Sequence, residues 1–445
     1  MSAALSSIRA CFEGAIPAVM STCAADGTPN VAYISQVFYV DERHVALSFQ
    51  FFNTTRRNIL ENPHATVLLV NPVDVSYWRL HLRYLRTETA GALFERMKAQ
   101  LAGIASHSGM QGVFHLLGSD VYEVQQVEGM QGAAAPVAPP RPPLLGVVRQ
   151  ASERLARCCS LDEALASVLA SLNDLLGVRH AMVLMLDPGT KRLYTVASSG
   201  YPTSGVGSEI AMGEGVIGVA ARERTPVRIG HMTNAYLYSQ AMRESFEANI
   251  PDIAPVTDIP YPGLAEPHSQ LAVPIVSGAR LLGVLFVESP EDLRFGYEDE
   301  DALVVLDGQL GAAIDLTQQA NEQGESAGDA PAPSAAAQGA PLRVRHFAAN
   351  DSVFINEAYL IKGVAGAILC KLLRDYREQG RTEFSNRELR LDPSLKLPDV
   401  TDNLEARLLL LQRRLAEHSP WLRIDKTGRG RFRLVVLRPV ELSQG

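Results

Sequence analysis

Two segments rich in alanine, proline and glycine constrain the fold of this chain more than any other feature. Residues 131–143 read QGAAAPVAPPRPP and residues 319–341 read QANEQGESAGDAPAPSAAAQGAP, and neither contains an aromatic residue. Such compositions bury too little apolar surface to offset the entropy lost on ordering, so they indicate linkers. They leave pieces of about 130, 175 and 100 residues, each of ordinary domain size. We therefore predict three domains in series, at 1–130, 144–318 and 342–441.

Composition excludes several classes of protein. Hydrophobic residues make up 47% and charged residues 20% of the chain, and no apolar run approaches the ~20 residues of a membrane-spanning helix. The start, MSAALSSIRACFEGA, lacks the basic, apolar and small-residue regions of a secretory signal, so we expect a cytoplasmic location and no membrane partner. The five cysteines form no CxxC pattern, which predicts free thiols and no metal site.

Charge is distributed unevenly along the chain. From Leu342 onward there are 19 Lys+Arg and 13 Asp+Glu, a net charge of +6. The preceding part holds the remaining 22 basic and 36 acidic residues, a net charge of −14. An acidic body with a basic last domain favours a nucleic-acid partner at the basic end, although a solvated surface could carry the same excess.

The first piece, residues 1–130, has the pattern of a mainly β structure. Runs rich in β-branched and aromatic residues cover 15–23, 31–40, 44–52, 65–70, 77–87 and 121–127, and helical patterns cover 53–62 and 92–104. Many antiparallel strands with two helices predict a small β-barrel.

The order of its segments also resembles a known family. The segments ADGTPN, AYISQVFYVDERHVALSFQ, NTTRRNILENPHATVLLV and VYEV are similar to the pyridoxamine 5′-phosphate oxidase-like FMN-binding split barrel across residues 1–130. The resemblance implies FMN as a candidate cofactor, with its phosphate at the N-terminus of the short helix. The implied phosphate ligands are Thr54, Thr55, Arg56 and Arg57, and Thr55 stands where many relatives carry a basic residue. The alternative is that a threonine only caps the helix and the arginines face solvent.

Residues 144–318 have a mixed pattern of helices and strands. Helical periodicity covers 144–176, strands are predicted at 181–186, 192–198, 269–275 and 281–288, and an amphipathic helix is predicted at 297–316. This order predicts an α+β domain with a mainly antiparallel sheet. The segments GEGVIGVAARERTPVRI, SQLAVPIVSGARLLGVLFVESP and FGYEDEDALVVLDGQLGAAI resemble a GAF domain over 144–318. The resemblance implies a sensor of a small-molecule effector and a homodimer formed through the terminal helices.

The segment 231–268 lies where a GAF pocket commonly has its lid. Its candidate ligand-binding residues are Tyr236, Tyr238, Tyr261 and His268. The alternative is an ordered surface loop. His231 and His268 lack a carboxylate or cysteine at ligand spacing, so no metal site is predicted there.

Residues 342–441 contain three helical patterns followed by a basic hairpin. The helices are predicted at 366–377, from Ser385, and at 402–417, and the hairpin strands at 421–425 and 431–437. This order resembles the winged helix-turn-helix, an α+β DNA-binding domain found at the C-terminus of response regulators. The resemblance implies DNA contacts from the third helix and the wing by Arg407, Arg413, Arg414, Lys426, Arg429 and Arg431. The alternative is a winged helix that binds protein or dimerises.

Together these features predict a one-component transcription regulator. A split barrel and a GAF domain would sense a small ligand or redox state and bias DNA binding by the C-terminal domain. The main rival is an FMN-dependent oxidoreductase with regulatory GAF and winged-helix domains, and no catalytic residues are assigned. A third interpretation makes all three domains protein-interaction modules. No Walker loop, catalytic triad or zinc motif is present in the sequence, so hydrolase chemistry has little support.

Overall fold

The computed structural model describes residues 4–14, 16–34, 36–49, 54–107, 115–130, 143–231, 259–323, 340–395, 397 and 403–444. We call residues 4–130 the N-terminal region, 143–323 the central region and 340–444 the C-terminal region. Among these residues no helix is both long and apolar enough to cross a membrane.

The N-terminal region is a curled antiparallel sheet with two helices. Its strands are β1 (Ala18–Cys23), β2 (Pro29–Ile34), β3 (Val37–Tyr39), β4 (His44–Phe49), β5 (His64–Val70), β6 (Tyr77–Glu88) and β7 (Gly118–Met130). A 3-10 helix (Leu5–Phe12), α1 (Thr54–Glu61) and α2 (Ala92–His107) complete it. The strand order is β2-β1-β5-β6-β7-β4-β3. Two register shifts between the long strands β6 and β7 bend the sheet, as β-bulges do.

The central region is a six-stranded antiparallel sheet between two layers of helix. Its strands are β8 (His180–Asp187), β9 (Arg192–Ser199), β10 (Glu209–Ala211), β11 (Val227–Ile229), β12 (Ser269–Ser277) and β13 (Arg280–Ser289), in the order β10-β9-β8-β13-β12-β11. Its helices are α3 (Leu144–Leu155), α4 (Leu161–Leu176), α5 (Gly215–Glu223) and α6 (Tyr297–Gln323). One apolar core lies between the sheet and α3, α4 and α6, and a second lies on the face covered by α5. The strands are therefore buried on both faces.

The single helix predicted at 144–176 is wrong, because the structure has two helices there. Ser160 interrupts the helical periodicity, and its Oγ accepts a hydrogen bond from the Glu163 amide at 3.2 Å. The Glu163 carboxylate in turn accepts one from the Cys159 amide at 2.7 Å. These bonds satisfy amides that a continuous helix would use internally, so α4 starts afresh after Ser160. Cys158 and Cys159 lie in the break, and all five cysteines are free thiols.

The last helix of the central region is longer than predicted. Helix α6 extends to Gln323, five residues into the segment that composition marks as a linker. The prediction ended at 316 because the apolar stripe ends there. The helix continues because glutamine, alanine and glutamate in the following stretch favour helix.

The C-terminal region combines two small sheets with three helices. Its strands are β14 (Leu342–Phe347), β15 (Ser352–Ile355), β16 (Ala358–Ile361), β17 (Glu383–Ser385), β18 (Leu422–Gly428), β19 (Arg431–Val436) and β20 (Val440–Gln444). Its helices are α7 (Gly363–Gln379), α8 (Asn386–Leu391), a 3-10 turn (Pro393–Leu395) and α9 (Leu404–His418). One sheet has the order β16-β15-β14-β20 and the other β17-β19-β18. Strand β20, which the sequence does not predict, pairs in parallel with β14.

A buried ionic cluster joins the N-terminal and central regions. Arg228 on β11 contacts both Glu13 and Glu300, and all three side chains are at most 7% exposed. Arg228 Nε lies 2.9 Å from Glu300 Oε2, and Arg96 on α2 pairs with the same carboxylate. The Tyr297 hydroxyl donates to the Phe12 carbonyl at 3.3 Å. Charges buried in this way must stay paired, so the cluster fixes how α2 lies against α5 and β11.

Candidate functional site

The N-terminus of α1 does not present its four candidate phosphate ligands together. Arg56 is only 12% exposed, and its guanidinium pairs with Asp120, donates to Thr87 Oγ1 at 2.9 Å and stacks 4.1 Å from the Phe49 ring. Burial alone would lower the pKa of Arg56, but the hydrogen bond and charge of Asp120 raise it. The Arg56 side chain is therefore already bonded to residues of the sheet.

The other three candidates differ in their access to solvent. Thr55 is half-buried, and its Oγ1 accepts a hydrogen bond from Asn30 Nδ2 at 2.9 Å. Thr54 and Arg57 are exposed at the start of the helix. A phosphate could meet a hydroxyl, a guanidinium and free helix amides there, whereas Arg56 could join it only by leaving Asp120. The described residues thus fit a phosphate group at Thr54 and Arg57, half of the predicted set.

A buried carboxylate lies at the end of the central sheet. Glu288 on β13 accepts hydrogen bonds from the Leu264 amide at 2.8 Å and from Gln270 Nε2 at 3.0 Å. Burial raises the pKa of Glu288, while these bonds lower it by a smaller amount. The nearby ring of Tyr201 lies 5.5 Å from that of His180. The sequence analysis missed Glu288 because it follows seven apolar or small residues within β13, and no neighbouring polar residue marks it as part of a site.

The candidate ligand-binding residues of the GAF-like segment are only partly described. Tyr236 and Tyr238 lie outside the described residues, and Tyr261 is 40% exposed. His268 Nδ1 lies 3.4 Å from Asp292 Oδ1, and His231 Nδ1 lies 2.7 Å from the same oxygen. Asp292 is a partner that the sequence analysis did not find, since it lies 24 residues beyond His268. Among the described residues no group of His, Cys, Asp and Glu side chains has metal-holding geometry.

Helix α9, the predicted third helix of the C-terminal region, lies against the central region. Arg407 is 5% exposed, with Nη2 2.9 Å from Asp187 Oδ2 and the guanidinium 4.2 Å from the Tyr194 ring. Burial would raise the pKa of Asp187, but Arg407 and two backbone amides lower it below its ordinary value. Arg413 donates to the Val196 carbonyl at 2.6 Å and to Asp162 Oδ1 at 2.5 Å. Two of the three basic candidates on α9 are thus held by the central region.

The remaining basic candidates lie within the C-terminal region or at its hairpin. Arg414 donates from Nε to the Leu360 carbonyl at 2.9 Å, and burial lowers its pKa. Lys426 pairs with Glu405 at 3.0 Å. Arg429 is exposed at the hairpin tip, and Arg431 is half-buried beside it. The six residues therefore do not form one open basic surface in this arrangement.

The sequence contained a signal for this docking. Residues 408–411 are four consecutive leucines, and all four are buried. A helix that is apolar around much of its circumference must be covered on more than one side. Helix α9 packs on α7 and β16 of its own region and on α4 and β9 of the central region.

Comparison with protein families identifies two of the three regions. A pyridoxamine 5′-phosphate oxidase model matches residues 5–128, and a GAF domain model matches residues 159–315. The predicted oxidase-like N-terminal domain and the predicted GAF domain are thereby confirmed. No curated protein matches the chain.

Several solved structures are similar to parts of the chain. The GAF domain of an Acinetobacter phosphoenolpyruvate-protein phosphotransferase is 23% identical and covers 41% of this chain and 96% of its own, with a TM-score of 0.32. Free methionine-R-sulfoxide reductase from Neisseria meningitidis is 21% identical and covers 40% and 91%, with a TM-score of 0.31. An FMN-binding protein from Syntrophomonas wolfei is 15% identical and covers 29% and 86%, with a TM-score of 0.25.

Proposed function

We propose that this chain is a one-component transcription regulator whose GAF domain holds the DNA-contacting helix of a C-terminal winged helix. The main support for this proposal is the contact of α9 with the GAF domain, where Arg407 pairs with Asp187 and Arg413 pairs with Asp162. An oxidase-like domain and a GAF domain suit a sensory or regulatory protein.

The C-terminal region supports DNA as the partner. The order of α7, α8, α9 and the β18–β19 hairpin supports the proposal of a winged helix, whose third helix would enter the major groove. The net charge of +6 from Leu342 onward would attract a phosphate backbone, and the exposed Arg429 at the hairpin tip would contact it. Because the GAF domain covers two arginines of α9, this arrangement would bind DNA weakly.

The activating step would be separation of α9 from the GAF domain. In the closed arrangement the carboxylates of Asp162 and Asp187 pair with Arg413 and Arg407, the arginines that would otherwise contact DNA. Ser204 also donates to Glu417 at 2.5 Å, and Lys362 pairs with Glu209 at 3.4 Å, both across the same contact. DNA and the GAF domain would then compete for one face of α9, and a ligand that favours either state would shift DNA affinity.

The test is fluorescence anisotropy with a labelled 30-bp duplex of mixed sequence at low salt. We expect weak binding by the full chain and about threefold or more tighter binding by Asp162→Asn/Asp187→Asn, since loss of its partners destabilises the closed form. The control Glu153→Gln/Asp174→Asn removes the same charge from exposed positions of the same domain. Arg429→Ala should weaken binding, whereas Arg149→Ala on α3 should not. Absence of DNA binding by every variant would refute the proposal.

We propose FMN as the cofactor of the N-terminal domain, held at its phosphate by Thr54 and Arg57. Bound flavin would supply hydride-transfer and electron-transfer chemistry. Flavin absorption bands in the purified chain, lost in Arg57→Gln and kept in Arg43→Gln, would support it. Steady turnover with a reductant would favour the oxidoreductase alternative, whereas a colourless protein that FMN cannot load would exclude a flavin.

A further inference from the structure

A cavity of about 220 Å³ lies between the GAF domain and the C-terminal region. The GAF domain contributes the first turn of α4, and the C-terminal region contributes the start of α8, one face of α9 and the β18–β19 hairpin. The residues that line it are Ser160, Leu161, Asp162, Asn386, Glu405, Leu408, Leu409, Gln412, Ile424, Lys426, Gly430, Arg431 and Phe432. Neither region forms the cavity alone.

The size and the walls limit what could occupy this cavity. At about 30 Å³ per water molecule, its volume equals about seven waters, which suits a molecule of about seven to ten non-hydrogen atoms. Five apolar side chains line it, among them Leu408, Leu409 and Phe432. An occupant with an apolar body would therefore displace poorly held water.

The polar walls favour a negative charge on that occupant. Both wall carboxylates already have cationic partners: Asp162 lies 2.5 Å from Arg413, and Glu405 lies 3.0 Å from Lys426. Arg431 is the fourth charged residue of the wall, and its Nε is buried without a hydrogen-bond partner among the described residues. A buried guanidinium nitrogen left in this state is costly, and a carboxylate or phosphate oxygen would satisfy it.

We propose that this cavity binds a small organic anion with an apolar body, its carboxylate or phosphate group bonded to Arg431. Leu161 and Asp162, in the first turn of the 16-residue helix α4, line the same cavity, and the positive end of the helix dipole would favour an anion there.

The position of the cavity implies a direction of regulation, and this step rests on the proposed function. Because the walls come from two regions, only the closed arrangement forms the complete site. A ligand that binds one state alone stabilises that state. The anion would therefore hold α9 against the GAF domain and oppose DNA binding.

The site itself is tested without DNA. Isothermal titration calorimetry of the full chain at constant ionic strength would use benzoate and butyl phosphate as probes, with benzamide as the uncharged analogue of benzoate. We expect binding of at least one anion and none of benzamide. Arg431→Gln should weaken the binding by about tenfold or more, since it removes a charge-assisted hydrogen bond. Arg423→Gln removes the same charge from an exposed position of the same hairpin, outside the cavity wall, and should leave the affinity unchanged.

Two results would overturn the site. One is absence of heat for both anions beyond a sodium chloride control, and the other is equal affinity in Arg431→Gln and the unaltered chain. Leu409→Phe, which reduces the cavity without changing charge, provides a second check and should also weaken anion binding. If the chain binds an anion but no DNA, the anion site is supported and the proposed function is refuted. If the chain binds DNA but no anion, the proposed function is supported and the anion site is refuted.

Discussion

Among single residues, Asp307 on α6 carries a buried carboxylate that accepts no hydrogen bond from any described part of the chain. The residue is 1% exposed, and neither oxygen has a partner among the described residues. Burial raises the pKa of Asp307 well above its ordinary value. The sequence EDEDALVVLD does not separate this residue from Asp301, which is exposed, because only the rotational phase of the packed helix decides which aspartate turns inward.

Asp307→Asn should remove a pH dependence of stability. The unfolded chain releases this proton above about pH 4, whereas the folded chain retains it up to the raised pKa, so the free energy of unfolding falls as pH rises through that window. The variant cannot ionise at this position and should gain stability relative to the unaltered chain as the pH rises above about 4. Thermal unfolding at several pH values measures this difference. Asp174→Asn, at an exposed position, should show no such trend, and equal slopes for Asp307→Asn and the unaltered chain would contradict the argument.

Arg56 and Arg57 are neighbours in sequence with opposite surroundings. Arg56→Met leaves Asp120 buried without its cation and should destabilise the N-terminal domain by about 3–5 kcal/mol. Arg57→Gln changes an exposed side chain and should stay within about 0.5 kcal/mol. Urea denaturation followed by the fluorescence of Trp78, in a background with Trp421→Phe, distinguishes the two. A small effect of Arg56→Met would return Arg56 to the list of flavin phosphate ligands.

At the level of helices and strands, alanine substitution of two glycines of α6 should change stability in opposite directions. An added Cβ at Gly311 would lie 2.4 Å from the Val276 carbonyl oxygen on β12, whereas at Gly308 it would meet nothing within 4 Å. Alanine favours helix over glycine by about 1 kcal/mol, so Gly308→Ala should stabilise the domain by up to that amount. Gly311→Ala should destabilise it by about 1–3 kcal/mol because helix and sheet must separate. Chemical denaturation of both variants measures the sign, and a stabilising Gly311→Ala would show that α6 can shift.

Most elements could be predicted from the sequence because their signals are local. The strand from Arg192 and the helix from Ala92 both begin where the alternation and helical spacing place them. Elements that depend on a partner far away in the chain could not be predicted. Strand β20 pairs in parallel with β14, about 100 residues earlier in the chain, and its own alternating sequence from Val440, VELSQ, is too short to predict a strand by itself.

For the whole molecule, the contact between α9 and the GAF domain predicts a change in shape. Asp162→Asn/Asp187→Asn should increase the radius of gyration measured by small-angle X-ray scattering, because the C-terminal region would leave the GAF domain and move on its linker. Glu153→Gln/Asp174→Asn should leave the radius unchanged. Equal radii for all three proteins would mean that apolar packing of α9 holds the contact without these ion pairs.

The candidate sites could be predicted from sequence only where one segment contains the whole site. The helix that begins at Thr54 could be predicted from its own segment, but the pairing of Arg56 depends on Asp120, 64 residues away. The docked face of α9 and the cavity beside it depend on Asp162 and Asp187, which lie in a different region. Local patterns identify helices and strands but do not show which charged side chains meet after the regions assemble.

The parallel pairing of β14 and β20 has a mechanical consequence. Leu342 pairs with Val440 and His346 with Gln444, so the two ends of the C-terminal region leave from opposite ends of one strand pair. Tension applied between those ends would load all the hydrogen bonds of the pair in shear at once, instead of opening them one by one like a zipper. The C-terminal region should therefore resist tension applied between its two ends as an intact body.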